Sequence, residues 1–428
     1  MIKKIIFIFA AVIILGSCNE EIFAPIFYTI SHEGKPNKPY IQGTPTNFAV
    51  LNDSSGVPNA MYVANGNSLY RYTGSKKGDP GYKWNKVNSL PSGIVKISQI
   101  ASTGNYVYML CYPDMHMEEK AQIWRFNGSG WDNITINYET VHYIYAAGGI
   151  LFVGASAYSR DSGSQFFYDI TYTVLYVKNG ETTAAEFQLI DKIEEDKTII
   201  PKTATGEISG AAFNGLNYYV CTRGSGIFET ADPSAPAVIV AGSEDIIFNG
   251  MLYDSDSNTI FITRRGGRVN SKDTVGDLFT INSAGEFQNA GTSVANLTTG
   301  ALAVWTHPED IELPVEERRR LLLAGRQDSL SYSVDYSFTN GYLELELNEK
   351  GIKGGEFNIP GRGSLSTIIG NYEYYDSMIR DRPLNFIFQT PYAIDNDMTL
   401  FASTQLDGLW SYRQRSEPKE WQWNAEEN

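Results

Sequence analysis

Side chains that support metal binding or nucleophilic catalysis are scarce in this sequence, since its 428 residues include only four histidines and three cysteines. His116 lies near Asp114 and Glu118, but the segment lacks the spacing that would preform a metal site. No phosphate-binding loop, Gly-x-Ser-x-Gly nucleophile motif or His-Glu-x-x-His zinc motif occurs. The sequence therefore predicts no cofactor and no metal ion. It favours a protein that is not an enzyme, while leaving that question open.

One acidic segment resembles the start of a calcium-binding loop. Asp254, Asp256 and Asn258 occupy the first three ligand positions of such a loop. Thr259 stands where the loop needs glycine, and Arg265 stands where it needs a bidentate glutamate. We therefore interpret this segment as a tight turn between two strands.

Cys18 carries the clearest chemical signal. Lys3 and Lys4 precede an apolar run over residues 5–15, which has the length of a secretory signal and is too short to span a bilayer. The following Leu15-Gly16-Ser17-Cys18 stretch resembles the lipobox of bacterial lipoproteins. This resemblance implies removal of residues 1–17 and acylation of Cys18, so that acyl chains hold the protein in a membrane. The alternative is an ordinary signal peptide with an incidental cysteine.

The lipobox resemblance also implies a location and a domain organisation. We expect a protein of the bacterial cell envelope, attached to the outer membrane or the cell surface. Residues 18–45, in which Gly, Pro, Asn and Lys are frequent after residue 31, are expected to form a tether, and residues 46–428 the folded body.

Composition indicates an all-β body with no affinity for nucleic acid. Charged residues make up only 19% and aromatic residues 13%, and 39 glycines accompany 17 prolines, which is typical of strand-rich and turn-rich chains. The net charge of −15 comes from 49 acidic and 34 basic side chains. Such a chain lacks the basic surface that binding to DNA or RNA requires.

The predicted strands of this body recur as repeats along the sequence. An aliphatic–aromatic pair returns at spacings of 54, 52, 52, 51, 64 and 67 residues. The seven copies are Leu69-Tyr70, Ile123-Trp124, Leu175-Tyr176, Ile227-Phe228, Leu278-Phe279, the degenerate Tyr342-Leu343, and Leu409-Trp410. Two β-rich runs precede each pair. The first runs cover residues 48–51, 97–101, 142–146, 208–213, 250–253, 302–305 and 385–388, and the second runs cover 61–64, 106–111, 151–153, 218–221, 259–263, 321–323 and 400–402.

With a fourth strand after each pair, the repeat predicts a seven-bladed β-propeller of four-stranded antiparallel blades. Six or eight blades, or two stacked β-sandwiches, are the alternatives. At a fixed phase in each blade, the recurrent aromatic rings are expected to pack between neighbouring sheets. A stacking platform for sugars or bases is the other interpretation of these rings.

The lipobox and the seven degenerate repeats together resemble uncharacterised β-propeller lipoproteins of bacteria, those of spirochaetes included. The repeats match no propeller family with a known signature. The glycine pairs Gly148-Gly149, Gly266-Gly267 and Gly354-Gly355 do not recur at the phase of kelch blades. The Trp-Asp signature of WD40 blades and the aspartate box of sialidases are also missing from the sequence.

Candidate binding residues lie in the loops between second and third strands, which share one face of a propeller with the connections between blades. These loops are long in the second, third, fifth and sixth units, at residues 112–121, 156–173, 264–276 and 326–341. They contain aromatic and arginine side chains, which are typical of binding surfaces. The candidates are Tyr112, Tyr158, Phe166, Phe167, Tyr168, Arg264, Arg268 and Tyr332. His142 opens a first strand and is predicted either to line the central channel or to be a hydrogen-bonded structural residue.

Three functions fit these observations. The first is a lipid-anchored binding protein that holds a protein, peptide or glycan on its loop-rich face. The second is an envelope glycosidase or lyase with its site at the channel mouth, although 49 acidic residues give no basis for choosing a catalytic pair. The third is a scaffold subunit of an envelope complex, for which a broad apolar patch on the blade sides would be the sign.

Acylation of Cys18 is directly testable. Metabolic labelling with a radioactive fatty acid is expected to mark the wild-type protein and to leave the Cys18→Ala variant unmarked, because the thiol is the point of attachment. A Cys18→Ala variant that still carries the label would show that the lipobox interpretation is wrong.

Overall fold

Seven sheets follow one another around a ring in a computed structural model of the chain, and together they form a seven-bladed β-propeller. The structure describes residues 38–74, 76, 82–113, 121–160, 168–193, 199–201, 207–264, 267–269, 272–274, 278–290, 301–306, 314, 318–324, 342–353, 384–414 and 421–426. Within this described part, no helix is long and apolar enough to cross a membrane. The predicted fold class and number of blades are confirmed.

Each blade contains four consecutive antiparallel strands, here called first to fourth from the ring centre outward. Blade 1 consists of Phe48–Asn52, Pro58–Asn65, Ser68–Tyr72 and Asn85–Lys86. Blade 2 consists of Lys96–Ser102, Val107–Tyr112, Gln122–Phe126 and Trp131–Ile134. Blade 3 consists of Thr140–Ala147, Ile150–Arg160, Tyr168–Lys178 and Ala185–Glu186. Blade 4 consists of Ile208–Phe213, Tyr218–Thr222, Gly226–Thr230 and Ala237–Ile239.

The remaining blades follow the same order. Blade 5 consists of Phe248–Asp254, Thr259–Arg264, Leu278–Ile281 and Phe287–Asn289. Blade 6 consists of Leu302–Thr306, Arg319–Ala324, Tyr342–Asn348 and Gly351–Ile352. Blade 7 consists of Leu384–Gln389, Leu400–Thr404, Leu409–Gln414 and Trp421–Ala425. Every aliphatic–aromatic pair of the sequence repeat lies in a third strand, as the repeat predicts.

Strand direction divides the ring into two faces. Successive strands of a blade are antiparallel, so the start of each first strand, the end of each second strand and the start of each third strand lie on one face. We call this face, which also carries the connections between blades, the loop face. The opposite face carries the turns between first and second and between third and fourth strands, and we call it the turn face.

The core is divided into seven parts, one between each pair of neighbouring blades. Residues of a strand point alternately to the two sides of its sheet, so each blade contributes to two of these cores. The recurrent aromatic residues contribute here: Phe228, Phe279 and Trp410 are all buried between sheets. For these three residues, the prediction that the recurrent rings pack between neighbouring blades is therefore confirmed.

The ring closes between blades 7 and 1. A core that includes Trp84 and Phe401 joins the two sheets. Residues 40–43 add backbone hydrogen bonds along blade 7: the Leu409 N–H donates to the Ile41 carbonyl over 3.0 Å, and the Gly408 N–H donates to the Gly43 carbonyl over 2.9 Å. The sequence placed these residues in the tether, whereas the compact unit of the propeller begins at Pro39.

Two of the segments predicted as long loops are largely strands. Residues 156–173 were expected to connect two short strands, but most of them extend a hairpin in which Ile150–Arg160 pairs with Tyr168–Lys178. Within 264–276, a small extra hairpin pairs Gly267–Val269 with Lys272–Thr274. Both stretches are rich in polar β-forming residues without apolar alternation, which is why the sequence indicated loops there.

The Asp254 segment is a tight turn, as predicted. The Asp254 carboxylate accepts a hydrogen bond from the Ser257 N–H over 3.2 Å, and Asn258 adopts a φ of 47°, which asparagine tolerates in turns. The guanidinium of Arg319, at the start of a blade 6 strand, pairs with Asp254, and both residues are buried. The turn therefore ties blade 5 to blade 6 on the turn face.

Cys111 and Cys221 are free and buried, on the second strands of blades 2 and 4. Burial raises the pKa of both thiols to about 12, which keeps them protonated at neutral pH. In a Cys18→Ala protein, we therefore expect two thiols to be titrated in denaturant without reductant, and alkylation at pH 8 to be at least tenfold slower in the native state. A disulfide between them, detected by mass spectrometry, would contradict the blade assignment because a whole blade separates the two strands.

Candidate functional site

Polar and aromatic side chains meet on the loop face where blades 3 and 4 adjoin. We call this group the blade 3–4 site, and it consists of His142, Tyr143, Ser156, Tyr172, Glu207 and Arg223. The first four belong to blade 3, Glu207 immediately precedes the first strand of blade 4, and Arg223 immediately follows its second strand. Since these strands start or end on the loop face, topology alone brings all six residues to the same rim.

A β-bulge positions His142. In the pairing of the first two strands of blade 3, Tyr143 lies opposite Gly154 and Val141 lies opposite Ala155, so His142 is the extra residue. Bulges redirect side chains and increase the local twist of a strand. The same irregularity recurs near the loop-face end of the first strand in blades 2, 4, 5 and 7, where the extra residues are Ser98, Ser209, Asn249 and Asn385. Of these five bulged positions, only the one in blade 3 holds an imidazole.

His142 lies between a hydroxyl and a carboxylate. Its Nε2 is 2.8 Å from the Ser156 Oγ, and its Nδ1 is 3.6 Å from a Glu207 carboxylate oxygen. The imidazole ring is also 6.1 Å from the Tyr172 ring, centroid to centroid. The hydrogen bond to Ser156 orients the imidazole, and the Glu207 carboxylate lies near its other nitrogen.

Arg223 holds Glu207 from the other side. Its Nη1 is 3.1 Å from Glu207 Oε2, and its backbone N–H donates to the Glu207 carbonyl over 2.8 Å. The guanidinium lies over the Tyr143 ring, 4.9 Å from the centroid, which is cation–π distance. Desolvation opposes the charge of Arg223, but the neighbouring Tyr143, Tyr145 and Glu207 outweigh it, and the pKa of the guanidinium is raised. The arginine therefore stays charged and ties the two blades together.

Ser156, His142 and Glu207 place a hydroxyl, an imidazole and a carboxylate in a row, as in serine hydrolases. The burial of the serine argues against that chemistry. Ser156 is 0% exposed and sits within the strand ladder opposite Thr140 and Tyr172. A nucleophile must reach its substrate, so a buried hydroxyl is suited to orienting the imidazole instead. Tyr143, Tyr172, Arg223 and Glu207 are only half-buried, and the site is therefore better suited to binding than to acyl transfer.

A two-stranded ribbon rises above this site. Among the residues that the structure describes, the second and third strands of blade 3 form eleven residue pairs, whereas the same strands form four or five pairs in the other blades. The first strand begins at Thr140, opposite Ser156, so four pairs of the ribbon extend about 13 Å past it. Ile170 is 45% exposed on this ribbon, on the same side as Tyr172 and Ser156, which face blade 4. The ribbon thus forms a wall on one side of the blade 3–4 site.

A second addition enlarges the neighbouring blade. The connection from blade 3 to blade 4 forms a hairpin of Leu189–Ile193 and Ile199–Pro201. Its first strand pairs in parallel with Ala237–Ile239, so blade 4 becomes a six-stranded sheet. The chain then reaches Glu207 and the first strand of blade 4. The hairpin itself lies at the outer edge of blade 4, beyond its fourth strand, whereas the ribbon of blade 3 lies beside the blade 3–4 site.

The structure places the sequence-predicted candidates on several blades. Tyr112 is not on a loop: it ends the second strand of blade 2 and is 5% exposed. Arg264 ends the second strand of blade 5, opposite Phe248, and Arg268 lies in the extra hairpin of that blade, opposite Asp273. Tyr158 and Tyr168 both lie on the ribbon of blade 3, so the structure brings these two together. Three further candidates lie outside the described residues, namely Phe166, Phe167 and Tyr332.

Sequence reasoning missed most of the blade 3–4 site. Glu207 and Arg223 directly flank two correctly predicted strands, so strand order alone was enough to place them on the loop face. The contact of His142 with Ser156 could not be foreseen, since it depends on a bulge that shifts the strand register by one residue.

Comparison with known proteins supports the fold. Neither protein-family models nor curated proteins give a match. A GH74 enzyme from Niastella koreensis matches with 12% sequence identity and a TM-score of 0.52 over 91% of this chain and 55% of that one. The GH74 xyloglucanase from Xanthomonas campestris matches with 12% identity and a TM-score of 0.51 over 92% of this chain and 56% of that one. The chain thus spans about half the length of these two enzymes, and at this identity the likeness shows the fold alone.

The pairing of Glu207 with Arg223 generates a stability prediction. Replacing Arg223 with Gln is expected to lower the free energy of unfolding by about 1–2 kcal/mol, since it removes a partly buried ion pair and a cation–π contact. Urea unfolding of Arg223→Gln, Glu207→Gln and the double variant would measure the coupling. The double variant should cost less than the sum of the single changes.

A solvent-exposed ion pair supplies the control. Lys178 and Asp232 are 3.8 Å apart with side chains 40% and 60% exposed, so Lys178→Gln should change stability by less than about 0.5 kcal/mol. Strictly additive effects at Glu207 and Arg223 would contradict the proposed coupling between these two side chains.

Proposed function

We propose that this protein is a lipid-anchored binding protein of the bacterial cell envelope, and that it holds a protein, peptide or glycan ligand on the loop face of blades 3 and 4. One observation carries the proposal: the ribbon of blade 3 rises beside a group of half-buried aromatic and charged side chains. Tyrosine and arginine supply much of the energy at protein interfaces. Exposed Ile170 adds an apolar contact at the rim.

Anchoring follows from Cys18 rather than from the propeller. The acyl chains would hold the protein at a membrane, because one chain gives marginal binding and two or three give stable attachment. The net charge of −15 disfavours direct adsorption of the body to an anionic lipid surface. The membrane is therefore a partner through the acyl chains, and the loop face remains available for a ligand.

Binding fits the blade 3–4 site better than glycoside cleavage does. A glycosidase needs two carboxyl groups about 5–10 Å apart, one of them free to accept or donate a proton. At this site Glu207 is the carboxylate that the described contacts provide, and it is held by Arg223 and His142. The likeness to GH74 enzymes concerns the blades and adds no catalytic residue to this chain.

A scaffold role would require a broad apolar surface. The exposed large apolar residues of the described part are spread over both faces and lie mostly in turns and connections. They are Tyr40, Val57, Val95, Ile170, Leu216 and Leu406. Such scattered residues are ordinary for a folded surface, so a localised binding site is favoured over a wide docking surface.

Site-specific crosslinking in cells that make the protein would test this proposal. A photoreactive phenylalanine analogue replacing Ile170 is expected to capture the ligand, because this side chain is exposed beside the blade 3–4 site. The same analogue at Leu216 is the matched control, since Leu216 is 78% exposed on the turn face of blade 4. Mass spectrometry of the adduct would distinguish a polypeptide from a glycan.

A loop-face change should then reduce capture without unfolding the ring. Replacing Phe166, Phe167 and Tyr168 with Ser is expected to leave the melting temperature nearly unchanged and to weaken ligand capture at least fivefold. Equal adducts from Ile170 and Leu216, or capture from Leu216 alone, would show that the loop face does not carry the function.

A further inference from the structure

We infer that the ribbon of blade 3 binds an extended polypeptide by strand addition, along the edge formed by residues 157–160. This inference rests on the proposed function and narrows the ligand from a protein, peptide or glycan to an extended polypeptide segment. In strand addition, backbone hydrogen bonds to an exposed sheet edge supply affinity, and alternate side chains supply specificity.

The edge exists because the first strand of blade 3 is shorter than the second. Thr140 pairs with Ser156, and in the described part of the chain no strand pairs with residues 157–160 on that side. Neighbouring strands of a sheet lie about 4.8 Å apart. An incoming strand would therefore continue the line of the first strand beyond Thr140 and end beside His142 and Glu207.

Among the described residues, the edge formed by residues 157–160 is open. Sheet edges in proteins are usually short, or carry lysine or proline, since an open edge pairs with other chains. The outer strands of blades 1, 3 and 6 are only two residues long. Residues 157–160 read Ala-Tyr-Ser-Arg and their partners 168–171 read Tyr-Asp-Ile-Thr, with no lysine and no proline. The ribbon thus combines a free edge with residues that favour strands.

The side of the ribbon that faces blade 4 defines what the ligand should carry. Side chains of an added strand would alternate between its two sides. The added strand would pair with residues 157–160, so Ile170 and Tyr172, on the third strand, would lie one strand further away. Its end nearer the ring would approach His142 and the Glu207–Arg223 pair, which fits a polar ligand residue there. A glycan has no regular series of amide donors and acceptors, so it would not use the ribbon edge.

Two-stranded ribbons without further support are marginally stable in water. A third strand would add backbone hydrogen bonds on the free edge. Binding is therefore expected to stabilise the ribbon as well as to hold the ligand, which is the physical advantage of placing the edge on an extension rather than inside a blade.

The test uses the full-length protein in detergent micelles and a displayed library of linear twelve-residue peptides. Affinities of a selected peptide would be measured by fluorescence anisotropy for the wild type and for a variant in which residues 157–171 are replaced by Asn-Gly. We expect at least a tenfold loss of affinity in this variant. Circular dichroism and a melting curve would verify that the ring is intact.

A second measurement keeps the proposal testable if the shortened variant fails to fold. N-methylation of the selected peptide at alternate residues removes backbone donors from one side of a strand. Methylation of one alternate set should weaken binding to the wild type at least tenfold, and methylation of the other set should change it less than threefold. Equal effects of the two sets would overturn strand addition.

The outcomes separate this inference from the proposed function. Selected peptides that bind the shortened variant normally but lose affinity for Tyr172→Ser or Arg223→Gln would overturn strand addition and leave a loop-face binding site. A library that yields no peptide for the wild type would also overturn it, while crosslinking from Ile170 to a glycan would still support loop-face binding. If the photoreactive analogue at position 170 captured no ligand, the proposed function itself would be wrong.

Discussion

Burial of apolar side chains between neighbouring blades is the constraint on which this structure depends. No blade has a core of its own, because the strands point their side chains alternately to two sides and both sides must be covered. Seven separate cores meet this need only if blade 7 also covers blade 1. The contacts of residues 40–43 with blade 7 strengthen this closing junction. Ring closure therefore covers the two sheet faces that would otherwise be exposed, one on blade 1 and one on blade 7.

That constraint determines where function can be placed. Strand interiors are committed to the cores, so the chain can vary only at strand ends, connections and extensions. Blade 3 shows this division within one sheet. Phe152 is fully buried between blades 3 and 4, whereas Ser156, four residues further along the same strand, contacts His142 at the rim. Beyond it the strand leaves the core entirely and becomes one side of the ribbon.

The same constraint explains what could be predicted from sequence. The aliphatic–aromatic pairs predicted all seven third strands, because a fixed position between blades requires large apolar residues at a fixed phase. The ribbon was interpreted as a loop, since residues 168–173, Tyr-Asp-Ile-Thr-Tyr-Thr, show no apolar face of the kind that a core imposes. Tyr112 was assigned to a loop for the opposite reason: the strand before it extends one residue further than expected, into the core. Sequence patterns thus predict buried strands well and exposed strands poorly.

The blade 3–4 site illustrates how a rigid ring can support a precise polar arrangement. Glu207 is fixed through its carboxylate by Arg223, and the backbone of Arg223 is fixed by the Glu207 carbonyl and by a bridge to Ile247 of the next connection. His142 is hydrogen-bonded to Ser156, and Glu207 lies near its other nitrogen. Each polar group is held by another that belongs to a different strand end, so little conformational entropy remains to be lost when a ligand binds. Preorganisation of the site thus follows from the packing of blade 4 against blade 3, which sets the positions of these strand ends.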